Sequence, residues 1–314
     1  MNYGLRITNY EKIDFLALFL HFHSSSEMDS PQSSELMVKP GPGNRYIDIA
    51  KVIAESNSPV LRRLPEFIVR WIETIIRQEE MNRILSKYAD ASGADFLVKM
   101  IGELNLKLEI EGKENLPVNG KCIFVANHPF GIIDGLVLTH VVSEKYGGLK
   151  AIANDVFMLL PQLHPLIAAV NVFDTSSREY VQALNATYEQ EIPITHFPAG
   201  EVSRFHKGRV QDPDWQKSFI PKAIASRRDI VPLYFYGHNS RLFYAVNLVR
   251  RIFGIGLNIE LLLLPREMFR KRNKTIRVRI GPPVSWQRFD GSATHREWAR
   301  NLRALTYGLE HRNH

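Results

Sequence analysis

The composition of the chain is that of a globular protein with a sizeable core: of 314 residues, 45% are hydrophobic, 23% charged and 10% aromatic. These values exclude a disordered or fibrous chain. The single cysteine, Cys122, excludes an intramolecular disulfide and any metal site built from several cysteines. Residues 1–23 do not resemble a signal peptide, because they carry the acidic Glu11 and Asp14 and their apolar stretch is short. We therefore expect a cytoplasmic protein.

The positive charge of the chain is concentrated in one segment. With 40 Lys and Arg against 33 Asp and Glu, the net charge is +7, and residues 241–279 alone hold ten basic and two acidic residues. Because this segment is also rich in apolar side chains, it suits the surface of an anionic bilayer. A solvated basic face above an ordinary core strand is the alternative. A nucleic-acid partner is not expected, since no zinc-finger, RNP or basic-zipper pattern is present.

No segment has the pattern of a membrane-spanning helix, which needs about 18 or more apolar residues in a row. The longest uncharged run, residues 156–173, is interrupted by two prolines and by Gln162, His164 and Asn171. The apolar run 13–22 is too short. These patterns favour a peripheral protein, on the inner face of the cell membrane, over an integral one.

The first 105 residues divide into two predicted parts. Residues 1–44 are expected to be flexible, because 23–44 are rich in Ser, Pro and Gly. Residues 45–105 predict a helical extension, with a helix-start signal at Ser58 and Pro59. Apolar residues from Ile68 to Ile76 then recur at helical spacing. Such a helix either packs on the main domain or lies partly on a membrane.

From residue 106 to 314, short β-rich runs alternate with helical patterns, which predicts an α/β domain with a largely parallel sheet flanked by helices. The predicted strands are 106–110, 122–126, 151–153, 170–173, 194–197, 230–236 and 276–280. The predicted helices cover residues around 134–146, 177–190, 217–227 and 294–310.

A histidine and an aspartate follow the second predicted strand. His128 lies just past the strand end, where open α/β sheets bind ligands, and Asp134 comes six residues later. Pro129 and Gly131 allow the loop between them to turn back. A carboxylate bonded to one ring nitrogen would leave the other nitrogen free to accept a proton. The alternative is a helix-capping Asp134 and an ordinary loop histidine.

Two further polar clusters follow strands at the same predicted edge. The first, residues 197–204, contains Gly200, whose surroundings could present backbone N–H groups to a developing oxyanion, together with Glu201 and Arg204 as candidate head-group contacts. The second, residues 171–178, begins with a helix-start signal at Asp174 and ends at Arg178. A polar turn and helix capping are the respective alternatives.

In order and spacing, these clusters resemble the glycerolipid acyltransferase family, which includes the 1-acylglycerol-3-phosphate acyltransferases. The resemblance lies in Asn127-His128 with Asp134, VFD at 172–174 with Arg178, FPAGEVS at 197–203 and IVPL at 230–233, within residues 107–285. The stretch HPFGIIDG is similar to a hemolysin-like branch that includes acyltransferases of aminolipids.

The resemblance implies transfer of a fatty acyl group from an acyl thioester, on acyl carrier protein or coenzyme A, to the hydroxyl group of a lysolipid. In this scheme His128 is the general base and Asp134 orients it. The expected substrate-binding residues are Asn127, Gly131, Arg178, Pro198, Gly200, Glu201, Ser203 and Arg204. No metal or other cofactor is required, and the acyl thioester is a co-substrate.

The sequence departs from the common family pattern at the acceptor site. In the common block FPEGTRS an arginine helps to bind the acceptor phosphate, and Val202 stands at its position here. Glu201 would repel a phosphate and could pair with an amine. We therefore expect an amino-acid-bearing lysolipid, of the lyso-ornithine or lyso-glycine type, as acceptor. The alternatives to an acyltransferase are a lipid-binding, hemolysin-like protein without turnover, and a hydrolase, for which no G-x-S-x-G motif is present.

Overall fold

The computed structural model describes residues 45–56, 58–154, 157, 160–170, 178–206, 208–255 and 258–311. The predicted flexible segment 1–44, with its apolar run, lies outside the described residues. So do residues 171–177, which carry the VFD motif and the helix-start signal at Asp174.

Five helices form the N-terminal part of the described chain, in agreement with the helical prediction for residues 45–105. They are α1 (Ile49–Glu55), α2 (Pro59–Arg62), α3 (Glu66–Ile75), α4 (Gln78–Lys87) and α5 (Ala94–Glu103). The signal at Ser58 and Pro59 starts only the single turn of α2, and α3 begins anew after Pro65. Helix α3 buries Ile72 but leaves Phe67 and Trp71 exposed, so its contact with a membrane stays a prediction.

A seven-stranded sheet forms the centre of the molecule, as the sequence predicts. Its strands are β1 (Lys107–Glu111), β2 (Cys122–Ala126), β3 (Lys150–Asn154), β4 (Ile167–Val170), β5 (Ile194–His196), β8 (Asp229–Phe235) and β9 (Thr275–Ile280), in the order β1-β9-β8-β2-β5-β3-β4. Strands β8, β2, β5, β3 and β4 are parallel. The parallel pair β1 and β9 joins antiparallel to β8.

The described residues after 105 form six further α-helices: α6 (Ile132–Tyr146), α7 (Arg178–Glu189), α8 (Phe219–Ser226), α9 (Arg241–Ile252), α10 (Leu264–Arg270) and α11 (His295–Gly308). The sequence predicts four of them and misses α9 and α10, both inside the basic segment. It also misses the antiparallel hairpin of β6 (Arg204–His206) and β7 (Arg209–Gln211). This hairpin follows directly on the cluster at 197–204.

Strand β2 separates two hydrophobic cores because successive side chains point to opposite faces of a sheet. Phe124 and Ala126 pack with α4, α5 and α6, whereas Ile123 and Val125 pack with α8 and α11. Cys122 is buried, as expected for a core thiol. Within the described residues, no helix combines the length and apolarity that crossing a bilayer requires.

Candidate active site

Two loops meet at the edge where strands β2 and β5 end. Val125 and His196 are register partners in these parallel strands, so the residues that follow each strand emerge side by side. The rings of His128 and Phe197 stack with their centroids 4.0 Å apart. The predicted neighbourhood of the clusters at 127–134 and 197–204 is therefore present in the structure.

His128 and Asp134 are in direct contact. Nδ1 of His128 lies 3.0 Å from Oδ2 of Asp134, which also accepts hydrogen bonds from the backbone N–H groups of Phe130 (2.7 Å) and Gly131 (2.9 Å). Since Oδ2 acts as an acceptor towards both backbone groups, the contact with the ring is best made by a protonated Nδ1. Nε2 is then the unprotonated nitrogen, and it has no hydrogen-bond partner among the described residues.

The turn at Gly131 brings Asp134 back to the imidazole. Gly131 has φ +84°, and a Cβ atom there would lie 2.8 Å from Cδ2 of Leu264 and 3.2 Å from Cγ2 of Val202. Helix α6 starts at the next residue and places Asp134 in its first turn, fully buried. Burial raises the pKa of Asp134, and the three N–H groups on Oδ2 oppose that rise.

The Gly200 loop forms a tight turn beside this pair. Gly200 has φ +71°, and its N–H donates to the carbonyl oxygen of Phe197 at 3.0 Å. The carbonyl oxygen of Pro198 accepts from the backbone N–H of Gln216. The N–H of Gly200 is thus already used, as is that of Ser203, so the predicted stabilisation of an oxyanion would need a different N–H group of this loop.

Asp212, which the sequence does not single out, joins the two loops. Its Oδ1 accepts from the backbone N–H of His128 (3.1 Å) and from Oγ of Ser203 (2.6 Å), and its Oδ2 accepts from Nε1 of Trp215 (2.9 Å). The N–H of Ser203 in turn donates to the carbonyl oxygen of His128 at 2.8 Å. No local motif marks Asp212, because His128, which its carboxylate binds, lies 84 residues away in the sequence.

Three side chains that were predicted to bind substrate have their polar groups bound inside the protein instead. The amide of Asn127 exchanges two hydrogen bonds with the backbone of Phe235, and Ser203 donates to Asp212. The guanidinium of Arg204 is buried against Glu260, with Nη2 3.1 Å from Oε1, and it also donates to the carbonyl oxygen of Val202. These side chains hold the loops of the site together, and their contact with substrate stays a prediction.

The other residues discussed as head-group contacts lie in different environments. Glu201 is exposed beside Gly200. Val202 is buried, in line with its apolar character. Arg178 begins α7, but its side chain lies outside what the structure describes.

The chain matches a known protein family over most of its length. Residues 51–313 match the sequence model of a protein family whose description is "Acyltransferase". The chain is 38% identical over 264 residues to a lyso-glycine lipid O-acyltransferase of Phocaeicola vulgatus, covering 84% of this chain and 95% of that protein. It is 37% identical over 264 residues to a protein of the same name from Bacteroides thetaiotaomicron, covering 84% and 97%.

Among solved structures, the chain is similar to the 1-acyl-sn-glycerophosphate (LPA) acyltransferase PlsC of Thermotoga maritima. The identity is 17%, the TM-score is 0.39, and the match covers 79% of this chain and 90% of that one.

Proposed function

This chain belongs to the acyltransferase family, and from that membership we propose that it transfers a fatty acyl group from an acyl thioester to the hydroxyl group of a lysolipid. The observation that carries the proposal is the 3.0 Å contact between His128 and Asp134 at the sheet edge. It leaves Nε2 of His128, whose side chain is 17% exposed, as the nitrogen that can receive a proton.

The proposed step begins when Nε2 takes the proton of the acceptor hydroxyl group. The hydroxyl oxygen forms a bond to the carbonyl carbon of the thioester, and negative charge develops on the carbonyl oxygen. The carbon–sulfur bond then breaks. The imidazolium returns its proton to the leaving thiolate, so the products are an ester and a free thiol. Asp134 keeps the ring in the required tautomer and stabilises the imidazolium.

The donor is proposed to be acyl carrier protein or coenzyme A bearing the acyl chain, with no metal or other cofactor. An apolar groove from His128 would hold the fatty tail. We further propose that the enzyme works as a peripheral protein on the inner face of the cell membrane, because a lysolipid acceptor is held in a membrane.

The acceptor is proposed to be an amino-acid-bearing lysolipid rather than lysophosphatidic acid. Two observations support this: both curated relatives are named as lyso-glycine lipid O-acyltransferases, and Val202 supplies no positive charge for a phosphate. The exposed Glu201 adds a negative charge at the site edge, which disfavours a phosphate and suits an amine.

The catalytic pair is tested with His128→Ala and Asp134→Asn. We expect each variant to lose about 10²–10⁴-fold in kcat, since general-base catalysis contributes about that much. His140→Ala, on the same helix as Asp134, is the matched control and should keep activity. Circular dichroism and thermal melting check that each variant folds. Full activity of folded His128→Ala would contradict the mechanism, and no product from the wild type with any thioester would contradict the proposed function.

The role of Glu201 is tested with Glu201→Gln on three acceptors, with products read by mass spectrometry. For a lyso-ornithine type acceptor, which carries a free amine, we expect KM to rise about 5- to 30-fold, the loss of a charge-assisted contact. For an acceptor whose only head-group charge is a carboxylate, we expect no rise. Wild-type preference for lysophosphatidic acid would contradict the assignment of the acceptor.

A further inference from the structure

Helix α9 turns the polar side chains of Asn247 and Arg250 inward beside Phe243, and it leaves Leu242, Leu248, Val249 and Ile252 exposed. Asn247 and Arg250 point inward, where Nδ2 of Asn247 lies 2.9 Å from Oε1 of Glu260 and Nε of Arg250 lies 2.8 Å from Oε2. Glu260 is fully buried. A helix on the surface of a protein in water has the opposite arrangement.

This orientation of α9 is fixed at several points. Ser240 caps the helix and donates from both its backbone N–H (2.8 Å) and its Oγ (2.7 Å) to the buried carboxylate of Glu267. Phe243 is fully buried against Val202 and Leu263, and the guanidinium of Arg204 lies over its ring. The outward apolar face therefore belongs to a helix with a well-defined inner face.

The outward face is the main exposed apolar surface of the described residues. Of eleven large hydrophobic side chains that are exposed there, six lie between residues 242 and 255: Leu242, Leu248, Val249, Ile252, Phe253 and Ile255. Ile252 and Phe253 are 70% and 74% exposed. Contiguous exposed apolar patches mark interaction surfaces.

The charges around α9 favour an anionic partner. Arg241 and Arg251 are exposed and form no ion pair with a described residue, and residues 241–255 contain no acidic residue. By contrast, five other cations of the basic segment are paired with carboxylates: Arg266 and Arg270 with Glu267, Arg272 with Glu80, and Arg277 and Arg279 with Glu111. Exposed basic side chains and exposed apolar side chains of the basic segment thus lie together on α9.

We propose that α9 is the helix by which the protein docks on an anionic phospholipid bilayer, with Ile252 and Phe253 among the acyl chains and Arg241 and Arg251 at the lipid phosphates. An aliphatic and aromatic face suits lipid tails better than an acidic carrier protein, whose contacts would be made by charges. The proposal deepens the proposed function, because it states how the enzyme reaches an acceptor held in a membrane.

Docking through α9 would bring the catalytic edge close to the membrane. Strand β8, which precedes α9, ends beside β2, and Ala126 pairs with Leu233 in the parallel register. In the connection to α9, Nδ2 of Asn239 lies 3.4 Å from the carbonyl oxygen of Phe130 in the His128 loop. The helix and the candidate base therefore emerge from the same edge of the sheet.

The insertion of α9 is tested with a fluorescent label on Ile252→Cys in the full chain. The native Cys122 reacts slowly, because burial raises the pKa of its thiol to about 12. Val118→Cys is the matched control, since Val118 is 99% exposed in the connection between β1 and β2. With phosphatidylglycerol-containing vesicles whose lipids are brominated in the acyl chains, we expect quenching of the label at 252 and none at 118.

Three results would overturn the proposal. The first is no quenching at 252 by the brominated vesicles. The second is a label at 252 that is shielded without lipid and becomes exposed on dilution, which would show that a second copy covers the face. The third is shielding by an acyl carrier protein when vesicles cause none.

A second experiment separates docking from catalysis. The double variant Ile252→Glu with Phe253→Glu changes only exposed side chains, and Val118→Glu is its control. We expect the double variant to partition at least about tenfold less onto phosphatidylglycerol vesicles. Its activity on a short-chain acceptor below its critical micelle concentration should match the wild type. Unchanged partition would overturn the docking proposal, whereas a wild type inactive on the soluble acceptor would overturn only the proposed function.

Discussion

Burial shifts the pKa values of Asp134 and His196 in opposite directions. At Oδ2 of Asp134, one ring N–H and two backbone N–H groups meet, so the carboxylate is stabilised although burial raises its pKa. His196, the last residue of β5, has a buried Nδ1 atom without a hydrogen-bond partner in the part of the chain that the structure describes, and burial lowers its pKa to about 4. The sequence spacing predicts the first arrangement, because loop residues six apart can meet. It does not predict the second, which depends on packing against Phe219.

The low pKa of His196 predicts a loss of stability in mild acid. In the unfolded chain the pKa is about 6.5, so unfolding takes up a proton as the pH falls from about 6.5 to about 4. The free energy of unfolding should therefore fall by about 1–3 kcal/mol over this range, and His196→Phe should remove that part of the fall. Urea denaturation at a series of pH values measures it. His295→Gln, at an exposed histidine, is the control and should behave like the wild type.

At the scale of elements, the sequence predicts those elements whose buried side chains are apolar. It misses the helix that turns polar side chains inward. Strands β2 and β8 are found because their side chains are buried on both sides and form continuous apolar runs. Helix α9 is missed because several of its large apolar side chains are exposed while Asn247 and Arg250 turn inward to Glu260, so its sequence lacks the usual pattern of a surface helix. Asp212 and Glu260 are missed because each is a lone acid that tertiary contacts bring to its partners.

Asp212 is expected to position the His128 loop against the Gly200 loop. In Asp212→Asn the amide nitrogen cannot accept a hydrogen bond, so either Trp215 or the pair of donors from His128 and Ser203 loses its acceptor. We expect kcat to fall about 10- to 100-fold with little change in KM, because the base is displaced while the binding surface remains.

Steady-state kinetics of Asp212→Asn, together with thermal melting, test this role. Ser203→Ala, which removes one donor and keeps the carboxylate, should have a smaller effect on kcat. A rise in KM with unchanged kcat in Asp212→Asn would contradict the positioning role.

At the scale of the whole molecule, the helical N-terminal part and the sheet share one core. Six buried side chains of α4, α5 and the residue after α5 belong to the cluster that also contains Phe124 and Val137: Ile84, Leu85, Phe96, Leu97, Met100 and Leu104. The sequence predicts helices over 45–105, but it indicates a periodic apolar stripe only from Ile68 to Ile76, along α3. It cannot predict which surface receives the buried side chains of α4 and α5, since this depends on how the chain folds back over α6.

A fragment of residues 106–314 should therefore not fold stably alone. Burying one such side chain is worth roughly 1.5–3 kcal/mol, and six together equal or exceed the about 5–15 kcal/mol by which proteins are usually stable. We expect the fragment to bind a hydrophobic dye and to lack a cooperative melting transition, whereas residues 45–314 melt cooperatively. A cooperative transition of the shorter fragment would show that the helices are a separable extension.

The close packing behind the His128 loop limits how such a protein could change its acceptor during evolution. Val202 lies within reach of a Cβ at Gly131, next to Leu264, so its methyl groups help to support the very turn that carries the histidine. A longer, charged side chain at position 202 would have to displace that turn before it could contact a different head group. Under the proposed acceptor assignment, position 202 thus contributes both to the choice of head group and to the shape of the loop that carries His128.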